Sequence, residues 1–159
     1  MMAAAEDRVQ LLAELGRTLL RPPAGNLYEQ RDYVRLFVSP QGAACPPWQS
    51  VWTEGGEGPR LLGGPHQSAL DWYRRHGFEP AAGSEPADHI GLLLIFYAHL
   101  LDTSVEAAAD FRAAHLAWAA PFARKLGAEA RTDLYRLAAG RLGALLDGEG
   151  AAPPAAYSP

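Results

Sequence analysis

Residues 90–101, Ile-Gly-Leu-Leu-Leu-Ile-Phe-Tyr-Ala-His-Leu-Leu, are apolar on every side of a helix and interrupted by one imidazole, that of His99. A helix without a polar face is stable only when other elements wrap it, so this segment belongs at the centre of a bundle. It is too short to span a bilayer, which takes about 20 apolar residues. The rest of the chain can supply the wrapping: 159 residues, 48% hydrophobic and 20% charged, are too apolar for disorder and the size of one ordinary domain.

Helical periodicity dominates, and no alternating stretch bounded by turn residues makes a strand, so the fold expected is all-α. A first helix over 5–20 sets Val9, Leu12, Leu15 and Leu19 at spacings of three and four and stops at Pro22-Pro23. A second opens at Asn26, with Glu29 three residues on, and shows Tyr33, Leu36 and Phe37 on one face before Pro40. Residues 39–65 read as a long Pro/Gly-rich loop between helices 2 and 3, yet they hold Trp48, Val51 and Trp52. Loops of that length are functional or disordered, and tryptophans argue against disorder.

A third helix is predicted over 65–76, ending at Gly77 and presenting Leu70, Trp72 and Tyr73. A fourth runs over 85–101, with Pro86 in its first turn and Asp88 facing the positive end of its dipole. Thr103 and Glu106 form a capping box for a fifth, which carries Phe111, His115, Trp118 and Phe122, bends at Pro121 and ends at Gly127. A sixth, over 129–146, turns Leu134, Leu137, Ala138 and Leu145 inward. The expectation is thus a single-domain bundle of about six helices over residues 1–146 and a loose, disordered tail over 147–159.

Function classes narrow quickly. Lys and Arg number 14 against 18 Asp and Glu, giving a net charge of -4 without a basic block, so nucleic acid is not an expected partner. One cysteine, Cys45, asks for no oxidising compartment, and residues 1–21 lack the leading charge and apolar run of a secretory signal, so a cytoplasmic location is expected. The histidines at 66, 76, 89, 99 and 115 have no metal-ligand spacing, so neither metal nor cofactor is expected. Cys45 lacks a neighbouring base and reads as a packed residue rather than a nucleophile.

Two segments remain. Glu85-Pro86-Ala87-Asp88-His89 is either a plain helix start or a pair of carboxylates and an imidazole at the mouth of an apolar pocket, suited to a positively charged ligand. Pro46-Pro47-Trp48-Gln49-Ser50-Val51-Trp52 is either a set of aromatic loop anchors or an apolar wall with polar tips, suited to a peptide. Acid/base catalysis would also use such groups, but no nucleophile or metal accompanies them, so binding is favoured over catalysis.

In order along the chain, these motifs resemble those of the TorD/DmsD family, the cytoplasmic chaperones that mature bacterial molybdenum-cofactor redox enzymes. Tyr33-Val34-Arg35-Leu36-Phe37-Val38-Ser39-Pro40 resembles the family's Y/W-x-R-L-F-x-G-P signature, with Ser39 in place of its glycine. CPPWQSVW is similar to its P-P-W-x-S-V-Y/W, Leu61-Leu62-Gly63 to its L-x-G, and EPADHIGLLL to its E-P-x-D-H-h-x-x-L-L. His76-Gly77-Phe78 closes the intervening helix, and Phe111, His115-Leu116, Trp118, Phe122 and Tyr135 follow the usual downstream spacing. The resemblance covers residues 33–146.

It implies a protein without turnover that binds the twin-arginine leader and the apo form of a molybdopterin oxidoreductase subunit until the cofactor is inserted. The implied peptide site comprises Trp48, Ser50, Val51, Trp52, Leu62, Glu85, Pro86, Asp88 and His89. Trp48, Val51, Trp52 and Leu62 would line an apolar groove, and Glu85 and Asp88 would receive the arginines. A nitrate-reductase-type assembly chaperone, acting on a subunit that is not exported, is the alternative; a small helical hydrolase is the enzyme alternative. The segment before Tyr33 is shorter than the family pattern, implying a missing helix, an uncovered side of the 90–101 helix and self-association there, as a homodimer or a swapped assembly.

Overall fold

The computed structural model describes residues 2–39, 41–53, 63–80 and 85–150. The chain is all-α, as expected, with eight helices among the described residues rather than about six. They are α1 (Met2–Leu20), α2 (Leu27–Tyr33), which runs on into a π turn (Val34–Val38), α3 (Gln49–Thr53), α4 (Gly64–Arg75), α5 (Ile90–Thr103), α6 (Val105–His115), α7 (Ala119–Glu129) and α8 (Asp133–Gly150). None of these is long and apolar enough to cross a membrane.

The apolar segment stands where its composition requires. Nine of the fourteen residues of α5 are buried, and its exposed positions are His99, Asp102 and Thr103. α1 lies along α5 and buries Leu12, Leu15 and Leu19, so the uncovered side expected of α5 is not found, and the argument for self-association through that side falls. α2 is capped as its sequence predicts, with the Asn26 carboxamide oxygen accepting the Glu29 N–H at 3.0 Å. Its buried Tyr33 and the π turn's Phe37, 5.3 Å apart, meet Tyr135 of α8, tilted at 6.4 Å and edge to face at 5.6 Å.

Asp32, also on α2, seats the beginning of α8. Its Oδ2 accepts the N–H groups of Arg131 and Thr132 and the Thr132 hydroxyl, each at 2.9 Å, while Oδ1 pairs with Arg35 at 2.8 Å. Burial alone would raise the Asp32 pKa, but these donors together hold it below the ordinary carboxylate value. Arg8 and Arg112 donate to the carbonyls of Leu145 and Leu146 in the second half of α8.

Several boundaries differ from expectation, each because of a specific capping or side-chain hydrogen bond. α5 begins at Ile90, not at residue 85: His89 is its N-cap, with Nδ1 accepting the Gly91 N–H at 2.9 Å, and Glu85 to Asp88 form a turn ahead of it. Neither Pro86 nor Asp88 therefore lies in its first turn. Ser104, not Thr103, caps α6, since Thr103 completes α5 and donates to the His99 carbonyl.

The expected fifth helix is two. It breaks after His115, whose carbonyl accepts the Trp118 indole N–H at 2.8 Å, leaving Pro121 in the first turn of α7, where its missing N–H is harmless, and Gly127 inside α7. Leu137 faces solvent; the buried stripe of α8 is Tyr135, Ala138, Leu142 and Leu146. α8 continues to Gly150, through the first residues of the expected tail; 151–159 lie outside the described residues.

Candidate functional site

The expected long loop holds a short helix, and α5's entry segment builds it. Trp48 and His89 form an antiparallel bridge: the Gln49 N–H donates to the Asp88 carbonyl at 3.1 Å, and the Ile90 N–H donates to the Pro47 carbonyl at 2.7 Å. Asp88 Oδ2 then accepts the Ser50 N–H at 2.8 Å. One carboxylate thus satisfies a donor at the start of α3, which at five residues is too short to persist unaided. The Trp48 and His89 rings meet edge to face at 6.0 Å.

A second layer of polar contacts fixes this clasp to the bundle. Gln49 Nε2 donates to the Ala114 carbonyl at 3.2 Å, which orients the amide and turns Oε1 toward His115 Nδ1 at 2.7 Å. Because Oε1 can only accept, Nδ1 carries the proton, and the free Nε2 accepts the Ser68 hydroxyl at 2.9 Å. The Tyr73 hydroxyl donates to the Ala87 carbonyl at 2.6 Å, and the Ala87 N–H donates to His66 Nδ1 at 2.8 Å. α3, α4, α6 and the entry to α5 are therefore linked by side-chain hydrogen bonds that periodicity does not register. Gln49, Ser68 and His66 had no local signal, since each is defined by a partner distant in sequence, and the periodicity that marked Tyr73 gave no sign of its hydroxyl's bond to Ala87.

Burial sets the protonation states. It pushes His89 down to about 3, and it pushes His115 down to about 4 although the Asp88 charge favours its imidazolium. Both rings are neutral near pH 7. Burial pushes the Cys45 thiol up to about 12, and Sγ lies 3.8 Å from the Phe122 carbonyl, as suits a packed residue. Ser68–His115–Gln49 has the connectivity of a nucleophile relay, but an imidazole that protonates only near pH 4 is a weak general base. The relay reads as a tie between helices.

The expected site residues divide into three groups. Trp48, Val51, Trp52 and Pro86 are half-buried, and Glu85 is exposed. Trp52 leans on Trp118 and Phe122 at ring separations of 6.1 and 6.0 Å and donates its indole N–H to the Pro46 carbonyl at 2.7 Å. Ser50, Asp88 and His89 are buried, Asp88 at 0% exposure, so Asp88 does not offer its charge to solvent as expected. Leu62 lies outside the described residues. Asp88 Oδ1, the Ser50 hydroxyl and the Trp48 indole N–H are buried atoms with no hydrogen-bond partner among the described residues, a concentration of unmet polar capacity inside the clasp. Among the described residues no group of acidic, cysteine or histidine side chains is arranged to hold a metal.

A family model described as nitrate reductase delta subunit matches residues 3–138. The Haemophilus influenzae protein named as a probable Tat proofreading chaperone DmsD is 30% identical over 115 residues, 70% of this chain and 54% of that protein. The Tat proofreading chaperone DmsD of Salmonella typhi is 35% identical over 69 residues, 43% of this chain and 33% of that protein. The chain thus matches about half the length of the first and a third of the second. The crystal structure of a protein from Archaeoglobus fulgidus described as a redox enzyme maturation protein superposes with a TM-score of 0.63 at 21% identity, covering 88% of this chain and 93% of that one, a likeness of fold.

Proposed function

The chain belongs to the nitrate reductase delta subunit family, the TorD/DmsD type of redox enzyme maturation protein, and from that premise we propose that it is a chaperone for the twin-arginine leader of a molybdenum-cofactor oxidoreductase precursor. The observation that carries this reading is the clasp itself. α3 and the Glu85–His89 turn, 38 residues apart at Ser50 and Asp88, lie side by side, and in this reading half-buried Trp48, Val51 and Trp52 and the exposed carboxylate of Glu85 form one peptide site. An apolar stretch of leader needs the first, and its arginines need the second.

Within this reading Glu85 is the carboxylate that meets the leader, and Asp88 is a positioning residue acting through Ser50. Burying each leader leucine contributes about 1.5–3 kcal/mol, whereas ordering a free peptide costs about 2–5 kcal/mol or more. An exposed ion pair adds about 0–1 kcal/mol, so the apolar wall sets affinity and Glu85 sets register. The chaperone binds without turnover, in the cytoplasm where precursors are made.

The description of the matching family favours a second reading, assembly of a nitrate reductase subunit without an export leader. Calorimetry with isolated leader peptides of the host's molybdoenzymes separates the two. Binding of at least one leader, competed by the unlabelled precursor, supports the first. Binding of the catalytic subunit but of no leader establishes the second, and turnover of an ester by the chain alone would overturn both.

A further inference from the structure

Four large hydrophobic side chains fall within twelve consecutive residues and remain exposed: Leu27 at 53%, Tyr28 at 74%, Val34 at 48% and Val38 at 52%. The remaining large exposed hydrophobics among the described residues, Leu11, Val105 and Leu137, stand singly and need no explanation. α2 and its π turn already bury Tyr33, Leu36 and Phe37 on their inner side. The outer side is therefore a second apolar stripe, Leu27, Arg31, Val34 and Val38 at spacings of four, three and four, with Tyr28 beside it. Beneath it lies a shallow groove of about 420 Å³ lined by Gln30, Arg31, Val34, Arg35 and Ser39.

Charge decides what this face suits. Arg35 is compensated, paired with Asp32 at 2.8 Å and Glu129 at 3.7 Å and donating to the Glu129 carbonyl. Arg31 is exposed, and its guanidinium makes no ion pair or hydrogen bond among the described residues. A second copy of this chain would bring another Arg31 stripe against the first, so the charge opposes self-pairing. Residues 151–159 carry no acidic side chain to answer it. A partner with an apolar stripe and a carboxylate at its edge satisfies both features, and arginine with tyrosine at an apolar patch is the composition of protein interfaces.

We propose that the outer face of α2 and its π turn is a docking surface for an acidic amphipathic helix of a partner protein, separate from the clasp. The two surfaces are connected through the backbone: the N–H groups of Ala44 and Cys45 donate to the carbonyls of Arg35 and Leu36, so the segment that leads into the clasp is anchored on the π turn. A client engaging both would hold its second contact at a raised effective concentration.

The test uses the ¹⁵N-labelled full chain and two synthetic helical peptides with one leucine stripe, flanked by glutamates in the first and by lysines in the second. Amide shifts from the acidic peptide should centre on residues 27–39, with affinity about tenfold above that of the lysine peptide, and Arg31→Glu or Leu27→Asp should each remove about tenfold. Both variants change exposed side chains, and both should keep leader binding unchanged, so failure here is distinguishable from failure of the leader reading. Equal affinity for the two peptides, shifts at Trp48 and His89 instead, binding only to anionic lipid vesicles, or concentration-dependent dimerisation through this face would each overturn the proposal.

Discussion

Gly16 of α1 and Gly91 of α5 face each other so closely that a methyl group on either would stand 2.6 Å from the other's carbonyl oxygen. The first would also meet Ile95 Cγ1 at 2.7 Å, and the second Leu20 Cβ at 2.9 Å. Backbone cannot yield as a flexible side chain can, so the two helices must separate. Overpacking costs about 1–3 kcal/mol or more, which outweighs the gain in helix propensity of about 1 kcal/mol on replacing glycine by alanine. Gly16→Ala and Gly91→Ala should each lose about 2 kcal/mol in urea denaturation. Gly140→Ala, with nothing within 4 Å, should gain up to about 1 kcal/mol. A stabilised Gly16→Ala would show that the crossing tolerates separation.

Trp52 sits against Trp118 and Phe122, so its removal affects the core as well as the site. Trp52→Ala should weaken leader binding at least tenfold, an effect of about 1.4 kcal/mol, and should lower stability by about 2 kcal/mol, less than a fully buried tryptophan because it is half-exposed. Val51→Asp, at a neighbouring half-buried position, separates the two effects. It should abolish calorimetric binding of the leader while the helical circular dichroism signal persists. Unchanged affinity in both variants would place the leader elsewhere.

The helices that bury one stripe were legible because 3.6-residue periodicity is a local signal. α1, α2 and α4 could be read from Leu12, Tyr33 and Tyr73 and their neighbours, and the body of α5 from an apolar run without a polar face. α3 was not legible, since its five residues are held by the Asp88 carboxylate, and a bond between residues 50 and 88 leaves no periodic trace. α5 starts at Ile90 because His89 caps it, with Nδ1 accepting the Gly91 N–H. Motif order did put residues 48–52 and 85–89 in one expected site, and the two segments do lie side by side, but it did not reveal which carboxylate faces solvent. Glu85 and Asp88 are equivalent as letters; only packing distinguishes an exposed acid from a fully buried one. Gly16 had no visible role in the sequence because its contact partner is a backbone oxygen.

Stability should fall as pH is lowered from neutrality. His89 and His115 are held neutral by burial, titrating at about 3 and about 4 in the folded chain, whereas in the unfolded chain they titrate near 6.5. Between these values the unfolded state binds more protons, so each ring removes about 1.4 kcal/mol per pH unit as pH drops below about 6.5. Asp32, with its pKa held below the ordinary carboxylate value, adds its own loss at lower pH still. Against a total stability of about 5–15 kcal/mol, two buried histidines are enough to make the chain acid-labile. Urea denaturation at pH 7 and pH 5 should show a loss of several kcal/mol, and His115→Gln should reduce that dependence by about one proton. A flat profile would mean that the rings are solvated.

The two carboxylates of the clasp should respond oppositely to loss of charge. Asp88→Asn preserves shape and an oxygen that can accept the Ser50 N–H, but it exchanges a charged acceptor for a neutral one. Hydrogen bonds to charged groups contribute about 1.5–3 kcal/mol and neutral ones about 0.5–1.5 kcal/mol, so the variant should lose about 1–2 kcal/mol of stability. Because Asp88 is fully buried and acts by holding α3, it should weaken a leader with two arginines and the same leader with two glutamines by equal factors. Glu85→Gln should leave stability unchanged and weaken the arginine leader alone, by about two- to fivefold, as for an exposed ion pair. The double-mutant cycle between chain and leader reads this difference directly: coupling to the leader's arginines at Glu85 and none at Asp88. Coupling at Asp88 with undiminished stability would mean that the clasp opens to admit an arginine, and that the Ser50–Asp88 bond is broken in the complex.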